Sequence, residues 1–336
     1  MNAKMKCMVT GGTGLIGNKL IEKLCSEGCV IHALCRSTSD TSSLTHPNIK
    51  IFIGDILDKT SIEKAMFGCE AVYHLAAYAR NWAKDPNIYY EYNTQSLINI
   101  LDISLKYNLK RVLFTSSSIV LGNSNGKPND ETNLRSIPPL TVYEDSKLKA
   151  EKVIEQYLNL GMDIISVYPT RPFGPGLLVE SNALCYIIDL YLKGKWRVIL
   201  GDGNATGNYV FLDDVVSGMT NAMKLGRKGE RYILGGDNLS LNKFFSLLKE
   251  ISGRKYRMFH IPEKVALIIS KIEEYRARVS NHYPLITPGW VKTFCLDWSF
   301  SSDKAIKEID YKITPFEDAL NKTVMWLASK ETGNQL

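Results

Sequence analysis

The sequence predicts an α/β protein built on a doubly wound parallel sheet, followed by a smaller α/β domain. Short apolar segments alternate with amphipathic helical segments through the first half of the 336 residues. The apolar segments lack a regular polar face, as expected of parallel strands that are buried on both sides. A cluster of glycines lies between the first strand and the first helix, at the sheet edge where such folds bind ligands.

Each predicted strand is rich in β-branched and aromatic residues. The predicted strands are 5–9, 29–35, 49–55, 71–77, 111–117 and 162–169. Apolar residues recur at helical spacing between them, which predicts helices over 15–27, 59–67, 86–107 and 143–160.

The second half changes character after residue 170. Two loops rich in glycine, the first also carrying proline, occupy 171–176 and 201–208, and helical segments are predicted at 181–193, 213–226, 241–251 and 302–309. We therefore predict a first domain over 1–170 and a smaller, interleaved substrate-binding domain over 171–336. Segment 209–236 is expected to return to the first domain, because "YVFLDDVV" and "ERYILGG" have strand character.

Composition argues against several classes of protein. The net charge is +6, from 41 basic and 35 acidic residues mixed along the chain, so no basic run indicates nucleic acid binding. Seven cysteines show no paired metal-binding spacing, which predicts a reducing, cytoplasmic compartment and no metal site. The apolar segment 264–272 is too short to span a bilayer, and we expect neither a transmembrane segment nor a signal peptide.

The glycine cluster has the pattern Thr10-Gly11-x-x-Gly14-x-x-Gly17. Glycine permits positive φ and the close approach of another backbone or a ligand. The helix that follows offers unpaired N–H groups and a positive dipole end, which suit the phosphates of a dinucleotide. We therefore predict an NAD(P)-binding Rossmann fold, with a tight turn that serves only helix packing as the alternative.

The residues after the second strand select the nucleotide. An acid there would bind the adenosine ribose of NAD, whereas an arginine would bind the 2′-phosphate of NADP. The strand ends at Arg36, and the nearest acid is Asp40. We therefore expect NADP, with NAD as the alternative cofactor. The alternative for Arg36 is that it is a solvated surface arginine without a role in cofactor binding. Asp55, after the third strand, is expected to accept from the adenine amino group or to cap the next helix.

Two Tyr-x-x-x-Lys sequences occur, one from Tyr143 to Lys147 and one that begins at Tyr191. An ammonium one helical turn from a phenol lowers the phenol pKa, so the tyrosine can exchange a proton with a substrate oxygen. Serines 116–118 lie at the C-terminal end of the fifth strand, at its ligand edge, whereas Ser166 lies inside a strand. We therefore assign the chemistry to Tyr143 and Lys147, and we assign Tyr191 to packing.

The combined pattern resembles the extended short-chain dehydrogenase/reductase family over nearly the whole chain. The matching segments are "TGGTGLIG" at 10–17, "GD" at 54–55, "HLAA" at 74–77, "FTSSS" at 114–118, "YEDSK" at 143–147, "RPFGPG" at 171–176 and "YVFLDDVV" at 209–216. The stretches "ALCRSTSD", "SSSIVLG", "GERYILGGDNLSL" and "PLITP" are most similar to its dihydroflavonol-4-reductase-like and NAD-dependent epimerase/dehydratase branch.

The resemblance implies roles for individual residues. Ser117 would hold the substrate oxygen, with Ser116 and Ser118 as alternatives. Tyr143 would transfer the proton, and Lys147 would bind the nicotinamide ribose. Asn93 matches the family's active-site asparagine. The expected cofactor contacts are Thr10, Gly11, Gly12, Thr13, Gly14, Leu15, Ile16, Gly17, Arg36, Asp55, Ile56, Leu75, Ala76, Ala77, Thr115, Ser116, Tyr143, Lys147 and Pro169.

Two loops separate the carbonyl reductases from the nucleotide-sugar enzymes of this family. The resemblance implies Asn-Val-Tyr-Gly-Pro in the first substrate loop of sugar enzymes, and an arginine two residues before the aromatic of a later strand. This chain has Arg171-Pro-Phe-Gly-Pro and Gly207-Asn-Tyr instead. Diphosphate binds weakly without charge-assisted donors. We therefore expect an alcohol/carbonyl oxidoreductase, with a nucleotide-sugar epimerase/dehydratase and a non-catalytic NADP-binding regulator as alternatives.

The expected substrate is a small and largely apolar molecule. Its expected contacts are Tyr78, Trp82, Ser117, Ser118, Arg171 and Phe173, with Ile137 and Leu140 as further walls and Arg171 as the polar anchor. We also expect a homodimer, because the third and fourth predicted helices carry additional apolar residues: Ile98, Leu101, Leu105, Val153, Ile154, Tyr157 and Leu158.

Overall fold

A computed structural model describes residues 5–178, 182–280 and 283–333 of the chain. In its first half, strands and helices alternate as the sequence predicts. The elements are β1 (Lys6–Thr10), α1 (Leu15–Ser26), β2 (Val30–Cys35), β3 (Ile49–Ile53), α2 (Lys59–Met66), β4 (Ala71–His74), α3 (Asn87–Tyr90), a π-helical turn (Glu91–Gln95), α4 (Ser96–Lys106), β5 (Arg111–Thr115), a 3₁₀ turn (Ser118–Leu121), α5 (Val142–Asn159) and β6 (Ile164–Pro169).

The second half alternates short strands with helices, most of which form the smaller part of the molecule. Its elements are β7 (Arg171–Phe173), α6 (Ala183–Leu192), β8 (Val198–Leu200), β9 (Thr206–Phe211), α7 (Leu212–Leu225), β10 (Arg231–Leu234), β11 (Asp237–Ser240), α8 (Leu241–Ser252), β12 (Phe259–Ile261), α9 (Glu263–Val279), α10 (Pro288–Phe294), α11 (Asp303–Ile309) and α12 (Phe316–Gly333).

The main sheet has seven parallel strands in the order β10-β6-β5-β4-β1-β2-β3. Helices α1, α7 and α11 pack on one face, and α2, α4 and α5 pack on the other. The predicted doubly wound Rossmann sheet is confirmed. Because the strand order reverses between β1 and β4, a crevice opens at their carboxyl ends, where doubly wound sheets bind ligands.

The chain after β6 forms two smaller sheets. Strand β9 pairs with β7 and β11, and β8 pairs with β12. Segment 209–236 was expected to return to the first domain, but only one of its two strands does so. Strand β10 joins the main sheet beside β6, whereas β9 stays in the smaller sheet because its Tyr209 and Phe211 pack into an aromatic core with Phe244 and Phe316.

The apolar residues that motivated a homodimer pack mostly within one chain. Ile98, Leu101, Val153, Ile154, Tyr157 and Leu158 all contribute to the core between the sheet and helices α2, α4 and α5, whereas Leu105 is exposed. The homodimer therefore stays a prediction that these residues no longer support. None of the helices in the described ranges combines the length and apolar character that crossing a bilayer requires.

Candidate active site

The glycine turn brings β1, α1 and the end of β4 into close contact. Gly11 has φ +73°, and a Cβ there would lie 2.7 Å from the Ala76 nitrogen. A Cβ on Gly17 would lie 2.1 Å from the Gly11 oxygen, and one on Gly12 would lie 2.5 Å from a methyl group of Ile21. These three glycines therefore permit the turn to pack tightly. Tight packing is the alternative explanation for the glycines that the sequence left open.

The start of α1 is open to an anion. Gly14 precedes the helix without a side-chain cap, and the first turn contains no acid. The Gly14 nitrogen donates to the Gly11 oxygen at 3.0 Å, and the Asn18 nitrogen closes the first helical turn on Gly14 at 2.9 Å. The backbone N–H groups of Leu15, Ile16 and Gly17 come before this first helical hydrogen bond. They therefore have no acceptor within the helix, as is usual at a helix N-terminus. This cradle suits a pyrophosphate.

Thr10 positions the turn from beneath. Its side chain is fully buried, and its hydroxyl lies 2.8 Å from His74 Nδ1 and accepts from the Ala76 nitrogen at 3.2 Å. Burial lowers the pKa of His74 to about 3, so its imidazole is neutral. Thr10 therefore joins the ends of β1 and β4, and its hydroxyl is engaged inside the protein.

The predicted adenosine residues meet at the carboxyl ends of β2 and β3. Asp55 accepts from the Leu57 nitrogen at 2.9 Å and from the Tyr92 hydroxyl at 3.2 Å. Arg36 is exposed, lies beside Tyr92, and has no carboxylate within 4 Å among the described residues. The alternative role of Asp55 as a helix cap is wrong, because Asp58 caps α2 by accepting from two backbone nitrogens of its first turn.

Tyr143 lies in the first turn of α5, next to Ser117. Thr141 caps this helix by accepting from the Glu144 nitrogen at 3.2 Å. Burial raises the pKa of Tyr143 to about 12, and a hydrogen bond with Ser117 opposes that shift. The expectation that Lys147 lowers this pKa is wrong, because the lysine ammonium is directed elsewhere.

Lys147 is buried beneath the end of β5. Its Nζ donates to the Thr115 oxygen at 3.0 Å and lies 5.0 Å from the centre of the Phe114 ring. Burial lowers the pKa of Lys147 to about 8, and the carboxylate of Glu151 opposes the shift. The hydroxyl of Thr115 is buried without a partner among the described residues.

The three serines after β5 have different environments. Ser116 donates to Glu151, which also accepts from the Tyr168 hydroxyl at 2.6 Å. Ser118 is buried at the start of the 3₁₀ turn. Ser117 is the serine that hydrogen-bonds Tyr143. Sequence reasoning missed Glu151, although its position four residues after Lys147 places it on the same helix face.

Asn93 lies in the π-helical turn and positions its neighbours. Its Oδ1 accepts from the Tyr78 nitrogen at 2.7 Å, and its Nδ2 donates to the Tyr78 oxygen at 3.1 Å and to Ser146 Oγ at 2.9 Å. Ser146 in turn donates to the Tyr143 oxygen at 2.7 Å. The buried amide thus connects the loop after β4 to the helix that carries Tyr143.

The loop after β4 is ordered by contacts of its own residues and of a distant segment. The Tyr78 hydroxyl donates to the Trp82 oxygen at 3.2 Å, and the Tyr78 ring lies edge-on to Tyr89. The Asn81 nitrogen donates to the Tyr283 hydroxyl at 3.1 Å, and the Tyr283 ring meets Trp82 edge-on. Sequence reasoning did not include Tyr283 in the site.

Phe173 was expected to contact the substrate, and this expectation is wrong. Its side chain is fully buried and packs against Phe211 and Phe316 in the aromatic core of the smaller sheet. Because β7 pairs with β9, Phe173 lies opposite Phe211 and is covered by α12. The inward side of this short strand could not be chosen from its three residues alone.

Arg171 occupies the space that a side chain at position 207 would fill. A Cβ on Gly207 would lie 2.2 Å from Arg171 Nη1. The guanidinium is centred 4.6 Å from the Phe294 ring and 5.6 Å from the Tyr209 ring. No carboxylate lies within 4 Å of it in the part of the chain that the structure describes. Position 207 itself carries no arginine. The guanidinium of Arg171, from the neighbouring strand β7, occupies that space instead.

Helix α10 connects Arg171 to the start of α5. Its Phe294 stacks on Arg171 and on Trp290. A Cβ on Gly289 would lie 2.6 Å from Thr141 Cγ2, two residues before Tyr143. The sequence analysis did not predict that α10 borders the site. Only the glycine and the preceding "PLITP" distinguished this segment in the sequence. Of the expected walls, Ile137 and Leu140 are half-buried.

The family model for the NAD dependent epimerase/dehydratase family matches residues 7–235. This chain belongs to that family. Its members act on alcohol and carbonyl groups through NAD(P), and the described chain has the nucleotide-binding sheet that this chemistry requires. The family is the one that the glycine turn and the Tyr-x-x-x-Lys sequence predict.

Two relatives in the epimerase/dehydratase family have names from different activity classes. A Synechocystis protein provisionally named dihydroflavonol 4-reductase is 28% identical over 95% of this chain and 93% of its own. A Methanocaldococcus jannaschii protein provisionally named UDP-glucose 4-epimerase is 32% identical over 76% of this chain and 86% of its own. The crystal structure of UDP-glucose 4-epimerase from Thermotoga maritima shares the fold, with TM-score 0.81, 23% identity, and coverage of 97% and 100%.

Proposed function

We propose that the protein is an NADP(H)-dependent oxidoreductase that interconverts a carbonyl and an alcohol on a small, largely apolar substrate. The observation that carries the proposal is the group formed by Ser117, Tyr143 and Lys147 at the carboxyl edge of the main sheet. Ser117 hydrogen-bonds Tyr143, and Lys147 lies one helical turn away beneath β5. A proton donor therefore stands beside the crevice in which a dinucleotide would bind.

The residues around the crevice fit NADP. The uncapped turn from Gly14 to Gly17 would hold the pyrophosphate, and Tyr143 with Lys147 would contact the nicotinamide ribose. Asp55 would accept from the adenine amino group. The guanidinium of Arg36, which is exposed beside Tyr92 and has no carboxylate partner among the described residues, would bind the 2′-phosphate, because a planar fork of donors matches phosphate oxygens. NAD is the alternative cofactor, and it would leave Arg36 without this contact.

In the direction of reduction, the hydride for the carbonyl carbon would come from NADPH held in this crevice. Ser117 would donate a hydrogen bond to the carbonyl oxygen and hold it near Tyr143. Tyr143 would give its proton to that oxygen, so that one C–H and one O–H bond form as the carbonyl π bond breaks. The raised pKa of Tyr143 keeps the phenol protonated at neutral pH, which suits a proton donor. The tyrosinate would then recover a proton from solvent.

Arg171 supports a substrate with one anionic group. Its guanidinium is half-buried between two aromatic rings and lacks a carboxylate partner among the described residues. A single carboxylate or phosphate on the substrate would complete its charge-assisted bonds. Trp82, in the loop after β4, would offer an apolar ring surface for the rest of the substrate.

The second candidate function is nucleotide-sugar epimerisation or dehydration. The position of Arg171 in the space above Gly207 favours it, because the arginine could still donate to a diphosphate. The relative from Methanocaldococcus jannaschii is consistent with this candidate. One arginine provides fewer donors than two phosphates need, so we rank this candidate below the reductase.

A paired experiment tests the proposal. We expect NADPH oxidation at 340 nm with a panel of ring-bearing ketones and aldehydes, with faster turnover for members that carry one carboxylate. We expect no binding of UDP-glucose or GDP-mannose by calorimetry in the presence of NADP. Micromolar binding of either sugar nucleotide, without carbonyl reduction, would replace the proposal with the epimerase function.

A further inference from the structure

Helix α9 presents an apolar face that no element of the described chain covers. Five side chains on it are between 46% and 67% exposed: Val265, Ile268, Ile272, Tyr275 and Val279. At about 100° per residue they fall within an arc of about 80° on the helix surface. The opposite face, which packs on the protein, is built from Ala266, Ser270 and Ala277. The helix therefore turns its small residues inward and its large apolar residues outward.

The charges of α9 are divided in the same way. Lys264, Lys271 and Arg278 flank one side of the exposed apolar face, and Arg276 flanks the other. The acids Glu273 and Glu274 face the protein and are only 15% and 25% exposed. They pair with Arg276 and Arg278 at 2.7 and 2.8 Å. Lys264 and Lys271 have no carboxylate within 4 Å among the described residues.

We propose that α9 binds the surface of an anionic lipid bilayer, with its apolar face in the headgroup region. An apolar stripe with basic residues at both rims is the pattern of an interfacial helix. The seven charged residues among its 17 exclude a membrane-spanning role. A second copy of the chain on this face would bring the basic rims of two helices together, which like-charge repulsion disfavours.

The bound surface would lie one helix away from the candidate active site. Helix α9 packs against α10, whose Phe294 stacks on Arg171 and whose Gly289 contacts Thr141. The bilayer could thus supply an apolar substrate with one anionic group to the crevice. This last step rests on the proposed function, whereas lipid binding by α9 does not.

Co-sedimentation of the full chain with vesicles tests the proposal without measuring activity. We expect binding to phosphatidylcholine vesicles with about 30 mol% phosphatidylglycerol and release by about 0.5 M salt, with little binding to phosphatidylcholine alone. The double variant Ile268→Glu/Ile272→Glu should weaken binding by about tenfold or more. Leu134→Glu, at a side chain that is 88% exposed elsewhere, is the matched control and should bind as the wild type does.

A second variant separates charge from apolar contact. Lys264→Glu/Lys271→Glu keeps the five apolar residues and should lose the preference for anionic vesicles. Melting curves check that both variants fold. The proposal is overturned if the wild type does not bind anionic vesicles, or if the Ile268/Ile272 variant binds them unchanged. It is also overturned if that variant converts a wild-type dimer into a monomer by analytical ultracentrifugation, which would assign the face to a second copy.

Discussion

At the scale of single residues, Tyr143 and Tyr191 form a matched pair, because each begins a Tyr-x-x-x-Lys sequence. Tyr143 hydrogen-bonds Ser117 at the sheet edge, whereas Tyr191 is fully buried and donates to the Arg254 oxygen at 2.8 Å. We predict that Tyr143→Phe lowers kcat by about 10²-fold or more, because it removes the proton and keeps the ring. Cofactor affinity, measured by fluorescence titration, should change little.

Tyr191→Phe is the control for this prediction. It should cost about 1 kcal/mol of unfolding free energy through its lost hydrogen bond, with kcat near that of the wild type. The roles are assigned wrongly if the Tyr143 variant keeps full turnover, or if the Tyr191 variant loses it.

The cofactor preference is also a property of one residue. Arg36 is exposed, and no described carboxylate competes for its guanidinium. We predict that Arg36→Asp raises the Kd for NADPH by about tenfold or more, since a charge-assisted pair becomes a repulsion. NADH, which lacks the 2′-phosphate, serves as the internal control and should bind the variant and the wild type alike. Tighter binding of NADH than NADPH by the wild type would reverse the assignment.

At the scale of elements, the helical segment 87–106 holds two loops through two buried amides. Asn93 bonds the backbone of Tyr78 in the loop after β4. Asn99, further along the same segment, donates to the oxygens of Ile56 and Leu57 at 3.2 Å in the loop after β3. One asparagine thus supports the substrate side of the crevice, and the other supports its adenosine side.

This arrangement predicts a double dissociation in steady-state kinetics. Asn93→Ala should raise the KM for the carbonyl substrate by about tenfold, because the Tyr78 loop loses its anchor, with a smaller change in the KM for NADPH. Asn99→Ala should show the opposite pattern. Both variants should lose some unfolding free energy, so stability does not distinguish them and the ratio of the two KM values does. Equal effects of the two variants on both KM values would mean that the amides only stabilise the fold.

The same segment shows which elements the sequence could predict. Its apolar spacing predicts one helix over 86–107, and the helix is present with boundaries within one residue. The π-helical turn at Glu91–Gln95 was not predicted, because an extra residue in one turn depends on backbone bonds rather than on side-chain type. The strands of the main sheet could be predicted because they do depend on side-chain type. Both of their faces are buried, which leaves continuous apolar runs in the sequence.

At the scale of the whole molecule, the parts of the site that the sequence missed come from distant segments. Arg171 lies above Gly207 because β7 pairs with β9, and α10 covers both from about a hundred residues further along the chain. Local periodicity does not report which strands pair across such distances. The Gly-rich turn and the Tyr-x-x-x-Lys helix could be predicted because each is a short sequence with its own mechanism.

At the scale of the whole molecule, a buried side-chain contact at the ends of β1 and β4 predicts how the stability of the fold depends on acid. His74 is buried and neutral at the end of β4, beside Thr10 at the end of β1, and burial lowers its pKa from 6.5 to about 3. Below pH 6.5 the unfolded chain binds a proton at this residue that the folded chain does not. The unfolding free energy should therefore decrease as the pH is lowered from about 6.5 to about 3. This group alone should contribute about 1.4 kcal/mol per pH unit.

Urea unfolding of the full chain at several pH values between 7 and 4.5 measures this slope. His74→Gln removes the titrating imidazole, so its unfolding free energy should depend less steeply on pH and should approach or exceed that of the wild type in acid. At pH 7 the variant should be less stable, because the contact with Thr10 is lost. His46→Gln, at an exposed histidine, is the control and should follow the wild-type curve. Parallel curves for His74→Gln and wild type would show that His74 does not determine the acid sensitivity.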